Sequence, residues 1–147
     1  MSGSDIRVDT EHYSAHYDAQ RALLFVRYEG VLTPAISTQF YQWLIGAIKE
    51  NPQLLTEARG SIYDFRTVTE LANTNMSSTQ RQSQQVNQQV DLQNHPVALI
   101  AKDSVQQALL TVTMRISPQQ DRKKVVRSEA EALAFIDAFH EQQEHQP

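Results

Sequence analysis

Cysteine is absent from this chain of 147 residues, and that one absence removes thiol nucleophiles, cysteine-based zinc sites, iron–sulfur clusters and disulfides together. Glycine is nearly as scarce, with four residues in all. No glycine-rich phosphate loop, nucleophile elbow or zinc-protease helix occurs, and close backbone approach to a nucleotide is hard to arrange with so few glycines. No apolar run approaches the ~18 residues of a membrane span. Residues 1–5 carry no positive region followed by an apolar stretch, so the expectation is a cytoplasmic protein with no membrane insertion. A basic surplus is missing too: 13 Lys and Arg stand against 17 Asp and Glu, a formal charge of −4. Only Arg122-Lys123-Lys124 and nearby Arg127 cluster, and they read as a solvated strand edge. Phosphate backbones need a concentrated basic face, so nucleic acid is not an expected partner.

What is present is an alternation of strand and helix patterns. His12-Tyr13-Ser14-Ala15-His16-Tyr17 alternates, and after Asp18-Ala19-Gln20 comes the apolar run Arg21-Ala22-Leu23-Leu24-Phe25-Val26-Arg27-Tyr28, which predicts an N-terminal β-hairpin. Thr33-Pro34 opens a helix with Ile36, Phe40, Trp43, Leu44, Ala47 and Ile48 on one stripe, and Asn51-Pro52 closes it. Ser61-Ile62-Tyr63-Asp64-Phe65 reads as a short strand bounded by Arg59-Gly60 and Arg66-Thr67. Residues 77–94, rich in glutamine, predict a helix with only Val86, Val90 and Leu92 to bury, hence a weakly packed one.

Val97-Ala98-Leu99-Ile100-Ala101 is the clearest buried strand. Ser104 and Gln107 have capping-box spacing ahead of Val105, Ala108, Leu109, Val112 and Ile116, the expected apolar face of the next helix. Lys123-Lys124-Val125-Val126-Arg127 makes a last strand. Ser128 and Glu131 then cap a helix carrying Ala132, Leu133, Phe135, Ile136 and Phe139. This order predicts one α/β domain over residues 1–147, a mixed, mostly parallel sheet of about five strands with about four helices. Residues 1–10 and 142–147 are expected to be flexible.

Three stretches in this order carry a family resemblance: Ser61-Ile62-Tyr63-Asp64-Phe65-Arg66-Thr67-Val68-Thr69-Glu70-Leu71, Val97-Ala98-Leu99-Ile100-Ala101-Lys102-Asp103-Ser104, and Val125-Val126-Arg127-Ser128-Glu129-Ala130-Glu131-Ala132-Leu133-Ala134-Phe135-Ile136. With the hairpin and first helix ahead of them, the chain resembles the SpoIIAA-like branch of the STAS domains. That resemblance implies a compact regulatory module acting through protein contacts or small-ligand binding. In anti-sigma factor antagonists of that group the helix after the third strand opens with a phosphate-accepting Asp-Ser-Ser-Gly. The matching slot here holds Ala72-Asn73-Thr74-Asn75, so the acceptor motif is missing, and Thr74, Ser77 and Ser78 are the candidate hydroxyls nearby.

Ligands of open α/β sheets gather outside the carboxyl ends of the strands. This selects Asp64, Arg66 and Thr67 after one strand, Lys102, Asp103 and Ser104 after the next, and Arg127 and Ser128 after the last. Ser104 and Ser128 open helices whose backbone N–H groups can receive an anion beside Lys102 or Arg127. Asp64 and Asp103 read as structural carboxylates, so no catalytic set is assigned and the chain is not expected to be an enzyme. His12 and His16 would lie about 13 Å apart along a strand, too far to share a metal, and no metal or other cofactor is expected.

The residues thus point to a non-catalytic binding module, and the resemblance implies that it works through protein contacts. The alternative is a carrier or sensor of a small apolar or anionic ligand with residues 77–94 as a lid. The aromatic strand pair, Tyr13, Tyr17, Phe25 and Tyr28, adds the expectation of a homodimer. The missing acceptor motif predicts that Thr74, Ser77 and Ser78 carry no stoichiometric phosphate in protein taken from its host. Phosphopeptide mapping checks this, and substantial modification at any of the three would restore a kinase-controlled switch.

Overall fold

The computed structural model describes residues 6–71, 95–115 and 122–144. The alternating tyrosine run forms a strand at Tyr13–Asp18 (β2), antiparallel to Leu23–Leu32 (β3), with Tyr13, Ala15 and Tyr17 inward on one face and Ser14 and His16 on the other. Ahead of it, Arg7–Asp9 (β1) pairs antiparallel with β2. This edge strand lies inside the stretch expected to be flexible. Ile6 is buried and its carbonyl accepts from Tyr17 N–H at 2.9 Å, while Val8 packs on the core, so burial and a ladder bond order it.

Thr33 caps the first helix, Pro34–Glu50 (α1), by accepting from the Ile36 N–H at 3.3 Å, and Asn51 ends it by donating to the Ala47 carbonyl. Ile36, Phe40, Leu44, Ala47 and Ile48 are buried, as the stripe required, and Trp43 is half-buried. A short helix, Gln53–Glu57 (α2), follows. The next strand runs over Gly60–Leu71 (β4), well past the boundary expected at Arg66-Thr67, because its second half continues alongside the end of β3. Val97–Ile100 (β5), Ser104–Arg115 (α3), Lys123–Val126 (β6) and Glu129–Glu144 (α4) complete the described elements. Residues 142–144, expected to fray, are the last residues of α4.

The sheet has six strands, one more than expected, in the order β1-β2-β3-β4-β5-β6. The pairings among β1, β2 and β3 are antiparallel, and those from β3 through β6 are parallel, giving the mixed α/β sheet that the sequence pattern predicts. Leu110 of α3 shares a core cluster with α1, whereas Ala132 and Ile136 of α4 pack on Leu23, Ile62, Ala98, Ile100 and Val126. Thus α1 and α3 cover one face of the sheet and α4 the other. At Gly60 the β4–β5–α4 junction closes so tightly that a Cβ would stand 2.8 Å from the Pro96 carbonyl oxygen and 3.2 Å from Ile136 Cδ1. Only glycine fits there without a shift. Among the described residues no helix is long and apolar enough to cross a membrane.

The α1 side is built around Phe40, which has no exposed surface. The rings of Tyr13, Tyr28 and Tyr63 meet it edge-on at centroid distances of 6.0, 5.8 and 5.7 Å. The hairpin tyrosines expected at a self-association surface are therefore core: Tyr13, Tyr17 and Tyr28 are buried, and Phe25 alone of the four turns to the opposite face. Since one ring joins β2, β3 and β4 to α1, Phe40→Ala is expected to destabilise the domain by about 3–5 kcal/mol. Urea denaturation followed by Trp43 fluorescence measures the loss.

Candidate functional site

A β-bulge in β4 decides where the site residues go. The pairing of β3 with β4 runs Arg27 to Asp64 and then jumps to Glu29 with Thr67, so Phe65 and Arg66 together oppose Tyr28. A bulge bends its strand and re-aims the side chains on it. Phe65 stays in the core with Val68, while Asp64 and Arg66 line a cleft of about 240 Å3 on the α4 side of the sheet. Its other walls are His16, Phe25 and Arg27 from the hairpin and Glu129 at the start of α4, over a floor of Ile62 and Ile100.

Arg66 grips Asp64 through Nε at 3.0 Å and Nη2 at 2.9 Å. Partial burial pushes the Asp64 carboxyl up, but the bonds from Arg66 and the charges of Arg66 and Arg27 outweigh it and hold it below the usual carboxylate range. Thr67 donates its hydroxyl to the Tyr28 carbonyl at 2.6 Å, which pins the bulge. Ser128 caps α4 by accepting from the Glu131 N–H at 3.1 Å, as its spacing required, and Arg127 is exposed beside it.

The second group of expected site residues lies on the other face and does different work. Asp103, rather than Ser104, caps α3: its Oδ1 accepts from the Gln106 N–H at 2.8 Å. Gln106 is buried, accepting from the Lys102 N–H at 2.8 Å and donating Nε2 to the Phe65 carbonyl at 3.0 Å. Lys102 Nζ donates to the Val68 carbonyl at 3.1 Å. Lys102, Asp103 and Gln106 therefore tie α3 to the overhanging half of β4. The expected eight do not meet in one loop cluster: Asp64 and Arg66 share a cleft, Ser128 is next in sequence to Glu129 of its lining, and Lys102 and Asp103 serve the α3 junction.

Turning Gln106 inward rotates α3 away from the orientation its apolar pattern predicts. Val105 is 72% exposed and Leu109 46%, Ala108 is exposed, and Leu110 is buried instead. The cause is polar: buried carbonyls of β4 need donors, and glutamine and lysine supply them where aliphatic side chains cannot. Residues 72–94, which include Thr74, Ser77, Ser78 and the expected lid, lie outside the described residues, as does Ile116.

At the amino ends of the parallel strands sits a cluster that no motif indicated. Ser61 Oγ lies 2.7 Å from His95 Nε2, and Arg122 Nη1 donates to the His95 carbonyl at 3.1 Å. Arg122 is 5% exposed, which corrects the reading of its basic run as a solvated edge. Burial and the Arg122 charge push the Lys123 ammonium down to about 8, and burial pushes the Tyr41 hydroxyl up to about 12. Burial, then the charges of Arg122 and His140, push the His95 imidazole down to about 4. Among the described residues no group of three His, Asp or Glu is placed to hold a metal.

A histidine that titrates near 6.5 when unfolded and about 4 when folded makes the unfolded chain bind the extra proton between those values. Stability is therefore lost as the pH falls through that window. His95 keeps part of its surface, so the corresponding loss of roughly 2 kcal/mol between pH 7 and pH 5 is an upper bound. Urea midpoints at the two pH values should converge in His95→Gln, and an unchanged gap would remove His95 as the cause.

No family model and no curated protein matches this sequence. Solved structures do. An uncharacterised protein of the DUF3478 family with a SpoIIAA-like fold, from Shewanella loihica PV-4, aligns with a TM-score of 0.58 at 14% identity, over 88% of this chain and 97% of its own. The anti-sigma factor antagonist SpoIIAA in its unphosphorylated form aligns with a TM-score of 0.55 at 11% identity, over 86% and 96%. An anti-sigma factor antagonist from Mycobacterium paratuberculosis gives 0.55 at 9% identity, over 88% and 99%. At such identities the likeness speaks for architecture alone, and with the order of strands and helices described above it establishes that this chain has a SpoIIAA-like fold.

Proposed function

We propose that this domain is a non-catalytic module that works through protein contacts, with the outward face of α3 as its contact surface. The observation that carries this reading is the inverted burial of α3. A soluble helix ordinarily turns its apolar stripe to the core. Here Val105 and Leu109 face outward while Gln106 is buried, so the helix presents to solvent the side chains best suited to a partner. Two of the structural neighbours are anti-sigma factor antagonists, whose names denote action on a protein, and this supports the same class. The Ser61–His95 pair is the nearest approach to a nucleophile and base, but Ser61 is buried and neither residue lines the cleft, which favours a structural role.

Placing a photo-crosslinking residue at position 105 in the host cell tests the reading. A discrete heavier adduct is expected, lost when Leu109→Asp is added; an adduct at twice the chain mass would identify a second copy as the partner. Leu109 keeps 46% of its surface, so Leu109→Asp should cost no more than about 1–2 kcal/mol, leaving the domain folded. Failure to form any adduct, or an adduct indifferent to Leu109→Asp, would remove α3 as the contact.

A further inference from the structure

The cleft on the α4 side of the sheet lies opposite α3, and its chemistry is independent of any contact made there. Its floor is Ile62 and Ile100, at 2% and 1% exposure part of the cluster beneath α4. One wall is a flat stack: the His16 and Phe25 rings lie 5.3 Å apart at 14°, and the Arg21 guanidinium sits 4.7 Å from the Phe25 centroid. Such a wall, above an apolar floor, suits the face or edge of a third ring.

The two arginines of the cleft are not equivalent. Arg66 is committed to both oxygens of Asp64. Arg27, 51% exposed, is ion-paired with Glu29 through Nε at 3.4 Å and reaches Thr67 Oγ1 at 3.5 Å through the same nitrogen. Its terminal nitrogens remain available, and a guanidinium fork matches a carboxylate in bidentate fashion. Asp64 and Glu129 bring negative charge and Glu29 pairs with the Nε of Arg27, so the preference for an anion does not come from net charge. It comes from Arg27 having a free hydrogen-bonding face while Asp64 is already spanned by Arg66.

Volume sets the size. A cavity of about 150 Å3 takes a benzene, so about 240 Å3 takes roughly nine or ten heavy atoms, one aromatic ring and a carboxylate. We propose that this cleft binds a small monocyclic aromatic carboxylate, the ring lying against Phe25 and Ile62 and the carboxylate on the terminal nitrogens of Arg27.

Benzoate is the probe, followed by amide chemical shifts of the full chain, with benzyl alcohol and benzamidine as neutral and cationic counterparts. The expected result is saturable shifts confined to amides near Phe25, Arg27, Ile62 and Asp64, with a Kd on the order of 1 mM. Benzyl alcohol and benzamidine should bind at least fivefold more weakly, a comparison that needs no variant. Arg27→Gln should weaken benzoate tenfold or more while leaving benzyl alcohol unchanged. Scattered or unsaturable shifts, equal or tighter binding of benzamidine, or unaltered benzoate binding by Arg27→Gln would each overturn the proposal.

Discussion

Among the described residues, β4 from Phe65 to Leu71 has a strand partner on one side only, because the pairing with β5 ends at Asp64 while that with β3 continues to Leu71. Carbonyls on the open side lie against α3 in the interior, where an unmet acceptor costs about 1–3 kcal/mol. Gln106 and Lys102 answer for Phe65 and Val68. That requirement fixes the rotation of α3 about its axis. Everything that distinguishes the α3 side of the molecule follows from it, including the cap by Asp103 and the outward Val105 and Leu109.

The other side depends on the same strand. The bulge that lets β4 follow the bent end of β3 places Arg66 beside Asp64 on the α4 face and keeps Phe65 and Val68 in the core. α4 packs on β5 and β6, leaving the outer face of β2 and β3 to polar and half-buried side chains, among them Ser14, His16 and Arg27. A cleft forms at the border between covered and uncovered sheet. It is held firmly, because Ile62 and Ile100 below it belong to the α4 core and the Phe40 cluster braces the same strands from behind.

Two surfaces of different character therefore share one sheet. The α3 face presents Val105 and Leu109 to solvent. The α4-side cleft is concave, with one flat aromatic wall and one loosely held guanidinium, suited to a small oriented molecule. β4 runs between them, with its Asp64 and Arg66 side chains on one face and its Phe65 and Val68 carbonyls bonded from the other.

Much of this architecture was settled by local pattern. The α1 stripe from Ile36 to Ile48, the buried run Val97-Ala98-Leu99-Ile100, the Thr33 and Ser128 caps and the hairpin all lie where periodicity and capping chemistry put them, since short-range sterics and burial of one face suffice to determine them. Even the shared side of Phe25 and Arg27 follows from strand alternation. Local pattern failed where an element's needs are set by a distant one. Nothing near Gln106 in sequence announces that residues 65 and 68 will present unpaired carbonyls, so its apolar neighbours Val105, Ala108 and Leu109 read as the core face. Ser61 and His95, like Arg27 and Asp64, become neighbours only through strand pairing. Sequence determined most of the strands and helices, though not β1 or the second half of β4; the tertiary structure decided those, which way α3 faces and which polar groups meet, because hydrogen bonds must be satisfied in three dimensions and not along the chain.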